Sequence, residues 1–224
     1  MTKIAIITAM SCEYDAIFKL YDFKLIEDYA YLEHKENQIY LFKCGIGKVN
    51  SALKTDYAIR KGAEIVITTG LAGGIDNSLK QGDVVLANKV CYHDVWCGSP
   101  NAKGQVQDLP LYYDLDENLS KTLRTMVENN SYKYGLTVTG DQFLTDVDCL
   151  NKIKTDFPKA LAVDMESASV AQTCYLNKVP FISLRIISDV VGSNAQEEQY
   201  NSFWQNLPNI SLKMVDELIN ALSA

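Results

Sequence analysis

The chain predicts an α/β protein, a three-layer α/β/α sandwich around a central mixed, mostly parallel sheet. Three observations carry that reading. Short apolar runs rich in Ile, Val and Ala alternate with stretches of helical spacing, the signature of strands crossing over through helices. Several of those runs are followed directly by glycines or acids. And one of them, Ala160-Leu161-Ala162-Val163, closes on Asp164-Met165-Glu166 before a helical Ser-Ala-Ser-Val-Ala-Gln stretch. That junction sets Glu166 at the mouth of a sheet, where a carboxylate needs a partner because leaving water is costly.

The elements follow in order. Lys3–Ala9 is a first strand, and Ser11–Tyr21 a helix. Phe23–Glu33 and Gln38–Lys43 alternate well enough to form a meander. Gly45-Ile46-Gly47-Lys48 ends that strand, and Val49–Lys61 has apolar residues at helical spacing. Ile65–Thr69 is a short β-branched strand of buried type, expected to break at Gly70-Leu71-Ala72-Gly73-Gly74. Asp83–Asp94 is a long strand. Residues 96–110 contain Gly, Pro and Gln without periodicity and read as a functional loop. Asn118–Glu128 is a helix, and Gly135–Thr139 a strand ending at Gly140-Asp141. After the Val163 strand come a helix to Leu176, the strand Phe181–Ile187 and a final helix over Gln205–Leu222. Neither an internal repeat nor a low-complexity stretch interrupts the series, so residues 1–224 are expected to form a single domain.

Composition narrows the function classes. The 47% apolar and 22% charged residues are ordinary for a globular fold. A net charge of −7 with no basic stripe argues against nucleic acid as a partner. Six cysteines lie apart, without a Cys-x-x-Cys pair, and the two histidines, His34 and His93, are not at ligand spacing from any of them. No metal site is therefore expected. The apolar run at Ile4–Ile7 is too short for a secretory signal, and no run approaches the roughly 20 residues of a membrane span. A cytoplasmic protein with no membrane association is the expectation.

Ligands of open α/β sheets collect beyond the carboxyl ends of strands. Five such ends carry notable residues: Met10 to Glu13, Gly45 to Gly47, Gly70 to Gly74, Asp164 to Glu166, and Arg185 to Asp189. The glycines read either as turns needing positive φ or as places where a flat ligand or phosphate meets the main chain. Gly-Ile-Gly-Lys-Val lacks the third glycine of a dinucleotide fingerprint and the ending of a P-loop. Arg185 and Asp189 read either as a structural salt bridge or as separate groups. On a regular strand, positions i and i+4 share a face but lie about 13 Å apart, too far to pair. Glu13 is open to a plain reading as a helix N-terminal acid favoured by the macrodipole. Phe143 reads as a core aromatic or a base-stacking one, whereas Tyr200, in a polar run, is less easily explained by burial.

Taken together, the segments Ile-Ile-Thr-Ala-Met-Ser-Cys-Glu, Gly-Ile-Gly-Lys-Val, Thr-Gly-Leu-Ala-Gly-Gly, Gly-Asp-Val-Val with Tyr-His-Asp, Thr-Gly-Asp-Gln-Phe, Val-Asp-Met-Glu-Ser-Ala and Arg-Ile-Ile-Ser-Asp occur in order along nearly the whole chain. In them the sequence resembles the nucleoside phosphorylase and nucleosidase superfamily, and within it the 5′-methylthioadenosine/S-adenosylhomocysteine nucleosidases. The resemblance implies a nucleoside phosphorylase-like fold and hydrolysis of the N-glycosidic bond of a purine nucleoside, with neither metal nor organic cofactor. It implies that Asp189 donates a proton to purine N7, which requires a pKa raised by burial. Glu166 would take the ribose hydroxyls, with Met165 against the sugar. Glu13, assisted by Arg185, would hold the attacking water. Phe143 would stack on the base and the backbone of Leu144 would read its edge. Met10, Ile46 and Tyr200 would form the apolar pocket for the 5′ substituent. The likeness also implies a homodimer.

A phosphorylase of this superfamily carries cationic donors for phosphate after the first strand and before the central glycine turn. This chain has acidic or small residues at the first place and Thr-Thr-Gly-Leu at the second, with Leu71 in place of a hydroxyl residue. Water is thus the expected nucleophile. Two departures from the family's pattern stand out. Asp94 is followed by Val-Trp-Cys-Gly-Ser-Pro instead of the usual small-residue and aromatic segment, with Trp96 a candidate replacement for its aromatic. Asp164 stands where glutamate is usual and is expected to be structural. The alternatives are a nucleosidase for another purine nucleoside, such as aminofutalosine, a purine nucleoside phosphorylase, or a non-catalytic nucleoside-binding protein.

Overall fold

The computed structural model describes residues 1–203 and 207–223. The chain runs β1 (Thr2–Thr8), α1 (Ser11–Phe18), β2 (Lys24–Ile26), β3 (Tyr29–His34), β4 (Asn37–Lys43), α2 (Lys48–Arg60), β5 (Ile65–Gly74), β6 (Val84–Tyr92) and β7 (Tyr113–Asp114). It continues with α3 (Glu117–Asn130), β8 (Lys133–Thr139), α4 (Val147–Asp156), β9 (Ala160–Asp164), α5 (Ser167–Asn177), β10 (Phe181–Val190), α6 (Gln196–Phe203) and α7 (Leu207–Ala221). The start expected for the last helix, Gln205, lies outside the described residues.

The strands form one sheet in the order β10-β6-β8-β9-β5-β1-β4-β3-β2, with β7 on β6. β10 also pairs with β5, so five strands close on themselves at the functional end. Parallel ladders join β4, β1, β5 and β10, and again β6, β8 and β9. Antiparallel ladders make the hairpin edge and the closure, so the sheet is more evenly mixed than the alternation of elements suggests. Ile4, Ile6, Ile39, Leu41, Ile67, Ile182, Leu184 and Ile186 are buried on one face, with Ile17 of α1, Leu123 and Met126 of α3 and Met214 and Leu218 of α7. Ala5, Ile7, Phe42 and Val66 face the other layer, with Ala58 of α2 and Ala168, Val170 and Ala171 of α5. The period-2 alternation of β1 therefore feeds both layers, as a central strand must.

Three differences from the sequence reading have physical reasons. Phe23–Glu33 is a hairpin, not one strand: Ile26 pairs Tyr29 across Glu27-Asp28, with Glu27 at φ +53°. That turn lacks the Asn-Gly or Asp-Gly signal that announces such connections. Ile65–Thr69 does not stop at the glycines but continues as β5 to Gly74, with Gly70 paired to Arg185 and Gly73 to Asp189. The glycines supply room here, since a Cβ at Gly73 would sit 2.7 Å from Val191 Cγ2. α4 and α6 were not expected; α4 is opened by Asp146, whose carboxylate accepts the N–H groups of Asp148 and Cys149. Residues 96–110 form the expected loop without regular elements, Trp96 being exposed beneath the Lys103 ammonium.

Candidate active site

A cavity of about 390 Å³ opens where β1, β5, β9 and β10 end, a size suited to a small organic ligand. Nine of the ten residues singled out in the sequence line it: Met10, Glu13, Ile46, Phe143, Leu144, Met165, Glu166, Asp189 and Tyr200. The tenth, Arg185, lies behind the wall and is 1% exposed. Glu13, Glu166 and Asp189 therefore share one largely apolar space, with Asp164 also in its wall.

Glu13 sits at the third position of α1 and is buried. Its Oε2 accepts the N–H groups of Ala9 (3.0 Å) and Met10 (2.9 Å), and Oε1 that of Leu71 (2.9 Å). The helix-cap reading is thus correct in part, since Glu13 satisfies orphan donors at the start of α1. It also ties β1 to β5. A carboxylate has about four acceptor sites, so three backbone bonds leave one for a further donor. Burial raises its pKa, and the three N–H bonds and Arg185 oppose that. A Cβ at Gly70 would stand 2.5 Å from Glu13 Oε1 and 3.0 Å from Arg185 Nη1, so the glycine keeps these two groups their space.

Glu166 opens α5 with φ −133° and makes no cap bond of its own. Asp164 does that work, accepting from the N–H groups of Glu166 and Ser167. Glu166 is free to reach out, and its Oε1 accepts from Gly47 N at 3.0 Å. Gly47 precedes α2 at φ +98°, a conformation that favours glycine. Burial pushes the Glu166 pKa up to about 7, with Arg185 pulling the other way. Arg185 Nη2 lies 3.7 Å from Glu166, while Nε is 2.7 Å from Asp164 Oδ2. Arg185 also donates to Thr68 Oγ1 (2.9 Å) and Ser167 Oγ (3.1 Å). Among the described residues it makes no ion pair with Glu13 within 4.0 Å, so its influence there is electrostatic only.

Asp189 takes its partners elsewhere, as its distance along the strand from Arg185 requires. Oδ1 accepts from Ser188 Oγ (2.5 Å) and Oδ2 from Gln196 Nε2 (2.8 Å). The ladder with β5 slips between Ile187 and Asp189, so the regular strand spacing on which the same-face expectation rests does not run unbroken from Arg185 to Asp189. Burial raises the Asp189 pKa, partly offset by those two donors. Phe143 is half exposed and meets Tyr200 edge-on, ring centroids 5.1 Å apart. Leu144 is buried and its carbonyl accepts from Gln196 Nε2. Gln196, Ser167 and Ser188 were missed in the sequence. The acids Glu197 and Glu198 after Ser193-Asn194 were the one local sign of a helix start at Gln196.

Asp164 is fully enclosed and saturated. Thr139 Oγ1 donates to Oδ1 at 2.6 Å, and Ser167 Oγ and Arg185 Nε donate to Oδ2. No group of three or more His, Cys, Asp or Glu side chains among the described residues is arranged to hold a metal ion.

Residues 3–220 match the family model described as the phosphorylase superfamily. A 5′-methylthioadenosine/S-adenosylhomocysteine nucleosidase of Staphylococcus haemolyticus is 38% identical over 83% of this chain and 82% of its own. The S-adenosylhomocysteine nucleosidase of Streptococcus pyogenes, solved with 5-methylthiotubericidin, superposes with a TM-score of 0.91 at 30% identity, over 100% of this chain and 98% of that one. The Neisseria meningitidis 5′-methylthioadenosine/S-adenosylhomocysteine nucleosidase, solved with methylthio-immucillin-A, gives 0.89 at 30% identity, over 98% and 99%. With a match across almost its entire length, this chain belongs to the 5′-methylthioadenosine/S-adenosylhomocysteine nucleosidase family of the phosphorylase superfamily.

Proposed function

We propose that the protein hydrolyses the N-glycosidic bond of adenine nucleosides carrying a 5′-thio substituent, 5′-methylthioadenosine and S-adenosylhomocysteine, releasing adenine and the thioribose. The observation that carries this reading is the convergence of Glu13, Glu166 and Asp189 on one cavity, each with its pKa raised by burial. Proton donation needs a carboxyl that keeps its proton near neutrality, and a sugar becoming cationic needs carboxylates beside it.

In this mechanism Asp189 is the general acid. Its proton passes to N7 as the C1′–N9 bond breaks, and the bonding electrons leave with a neutral adenine. Phe143 stacks on the base, and the Leu144 main chain reads its edge. Glu166 accepts the ribose hydroxyls, and its negative charge opposes the positive charge growing on the sugar, with Met165 alongside. Glu13 uses its remaining acceptor site for water, takes one of its protons as the oxygen joins C1′, and so completes hydrolysis. Arg185 holds Asp164 and moderates the charges of Glu166 and Glu13 from behind. Met10, Ile46 and Tyr200 offer an apolar place for the 5′ group.

Water is favoured over phosphate because the described residues lining the cavity include no Lys or Arg, leaving an anion without a cation to meet. The test is adenine release from 5′-methylthioadenosine with and without inorganic phosphate. Equal rates are expected, and a strict phosphate requirement would reassign the enzyme as a phosphorylase.

The protein is also proposed to act as a homodimer. α2 and α5 pack together and leave Val49, Leu53, Tyr175 and Leu176 more than half exposed, beside a shallow hollow lined by Val49, Val95, Val106 and Leu176. Such an apolar face suits a second copy. Sedimentation should give twice the chain mass, and a monomer at micromolar concentration would contradict this. The six unpaired thiols suit the reducing cytoplasm.

A further inference from the structure

We propose that Gln196 is a positioning residue that binds the general acid Asp189 and the base-reading carbonyl of Leu144 into one rigid unit. The proposal rests on the hydrolytic reading above. Gln196 is 7% exposed at the start of α6, and it is not among the cavity-lining residues. It stands behind the wall and acts through what it holds. Its single Nε2 donates to Asp189 Oδ2 and to Leu144 O, each at 2.8 Å, so both amide hydrogens are committed. Its Oε1 accepts from Gly192 N at 3.0 Å. Reversing the amide would set an oxygen against two acceptors and a nitrogen against a donor, which fixes its orientation.

The consequence is geometric. Ser188 Oγ holds the other Asp189 oxygen, so the carboxyl plane cannot turn without breaking a bond on one side. Leu144 O has a second lone pair, which stays available to an amino group on the base edge. The acid and the base-edge acceptor therefore keep a constant separation, the condition under which N7 meets the acid when the edge is read. α6 is itself pinned to the end of β10 by a second glutamine, Gln199, whose Oε1 accepts from Val190 N and whose carbonyl accepts from Gln81 Nε2. Gln199 anchors the helix without touching the acid, which makes it the natural control.

Glu13 and Glu166 line the same cavity as Asp189, but what sets its proton affinity is burial and the Ser188 and Gln196 donors. Gly73 of β5, Val163 of β9 and Val191 beyond β10 crowd the same spot, and Tyr200 of α6 is the titratable side chain whose charge couples to it. An N–H donor to the carboxylate favours the charged form. Removing it should raise the pKa of the acid and move the alkaline limb of the rate upward.

The experiment compares wild type, Gln196→Met and Gln199→Met in adenine release from 5′-methylthioadenosine, as kcat and KM across pH. Methionine keeps the length and removes the amide, with the donor and acceptor of Gln196 and the acceptor of Gln199. For Gln196→Met we expect kcat about 10²-fold lower, KM changed far less, and the alkaline limb of kcat about one pH unit higher. Gln199→Met should leave that limb in place. Should Gln196→Met not fold, Gln196→Asn, one methylene too short to reach, makes the same test. A folded variant with the wild-type limb and kcat would overturn the proposal alone. An equal shift in Gln199→Met would overturn it too, by assigning the effect to the docking of α6. A wild-type protein that releases no adenine would overturn the hydrolytic reading and this proposal together.

Discussion

Asp164→Asn removes one charge and adds no volume, so it isolates what the buried ion pair contributes. Asp164 and Arg185 have side chains 0% and 1% exposed, with Nε and Oδ2 2.7 Å apart. The new amide has two orientations, and both fail. With nitrogen at the Oδ2 place it confronts Arg185 Nε, a donor against a donor. With nitrogen at the Oδ1 place it confronts the N–H of Ser167, 3.2 Å away, and the start of α5 loses its cap. Either way Arg185 is left with Glu166 at 3.7 Å as its nearest anion, too long for a good hydrogen bond. Breaking a buried pair by neutralising one partner costs about 3–5 kcal/mol. For a domain of this size each kcal/mol lowers Tm by roughly 2–4 °C, so the fall should be about 6–20 °C. Thermal unfolding at fixed protein concentration measures it. The double variant Asp164→Leu/Arg185→Met, which removes both charges, should recover much of that loss. A fall in Tm of under about 2 °C for Asp164→Asn, below what even one kcal/mol gives, would refute the structural role assigned to the pair.

Gly70→Ala forces a Cβ to 2.5 Å from Glu13 Oε1 and should break the bond to Leu71 N. A displacement of this order lowers kcat by about 10²-fold, and wild-type turnover in a folded variant would show that Glu13 need not be held. The pH dependence follows from opposite requirements, with Glu166 ionised and Asp189 protonated. With the Glu166 pKa pushed by burial to about 7, kcat/KM should rise with pH through that value and fall again as Asp189 loses its proton. A profile flat from pH 5 to 8 would contradict it. The same shift bears on stability. A carboxyl whose folded pKa exceeds its ordinary 4.5 stabilises fully below that pH, and the contribution is lost as pH rises through about 7. Glu166→Gln should therefore flatten the change in Tm across that window.

The strands were readable because their apolar runs are short, rich in β-branched residues and unbroken, as at Ile4–Ile7 and Ile65–Ile67. The end of β5 was not, because glycine reads as a strand breaker, whereas Gly70 and Gly73 are there to admit Glu13, Arg185 and Val191. The hairpin at Glu27-Asp28 carries no turn residue of the usual kind, and α6 is too polar to show a face. The acids of the site were found by their position after strands and by family likeness. Their partners were not. Thr139 reaches Asp164 from 25 residues away, on a strand that meets it only once β8 and β9 pair, so nothing local announces that bond. Ser167 and Gln196 lie only three and seven residues from the acids they hold, but their direction depends on how α5 and α6 leave their strands, which the residue pattern does not show.

The central claim is that Asp189 makes adenine a leaving group by giving it a proton, and Asp189→Asn tests it most directly. The amide still accepts from Ser188 and keeps the shape of the site, but it has no acidic proton to transfer. Single-turnover adenine release from 5′-methylthioadenosine should fall by about 10²–10⁴-fold, the usual contribution of a positioned acid. Binding of the same substrate, measured by calorimetry, should change little. A variant that binds the substrate and releases adenine at the wild-type rate would remove Asp189 from the chemistry.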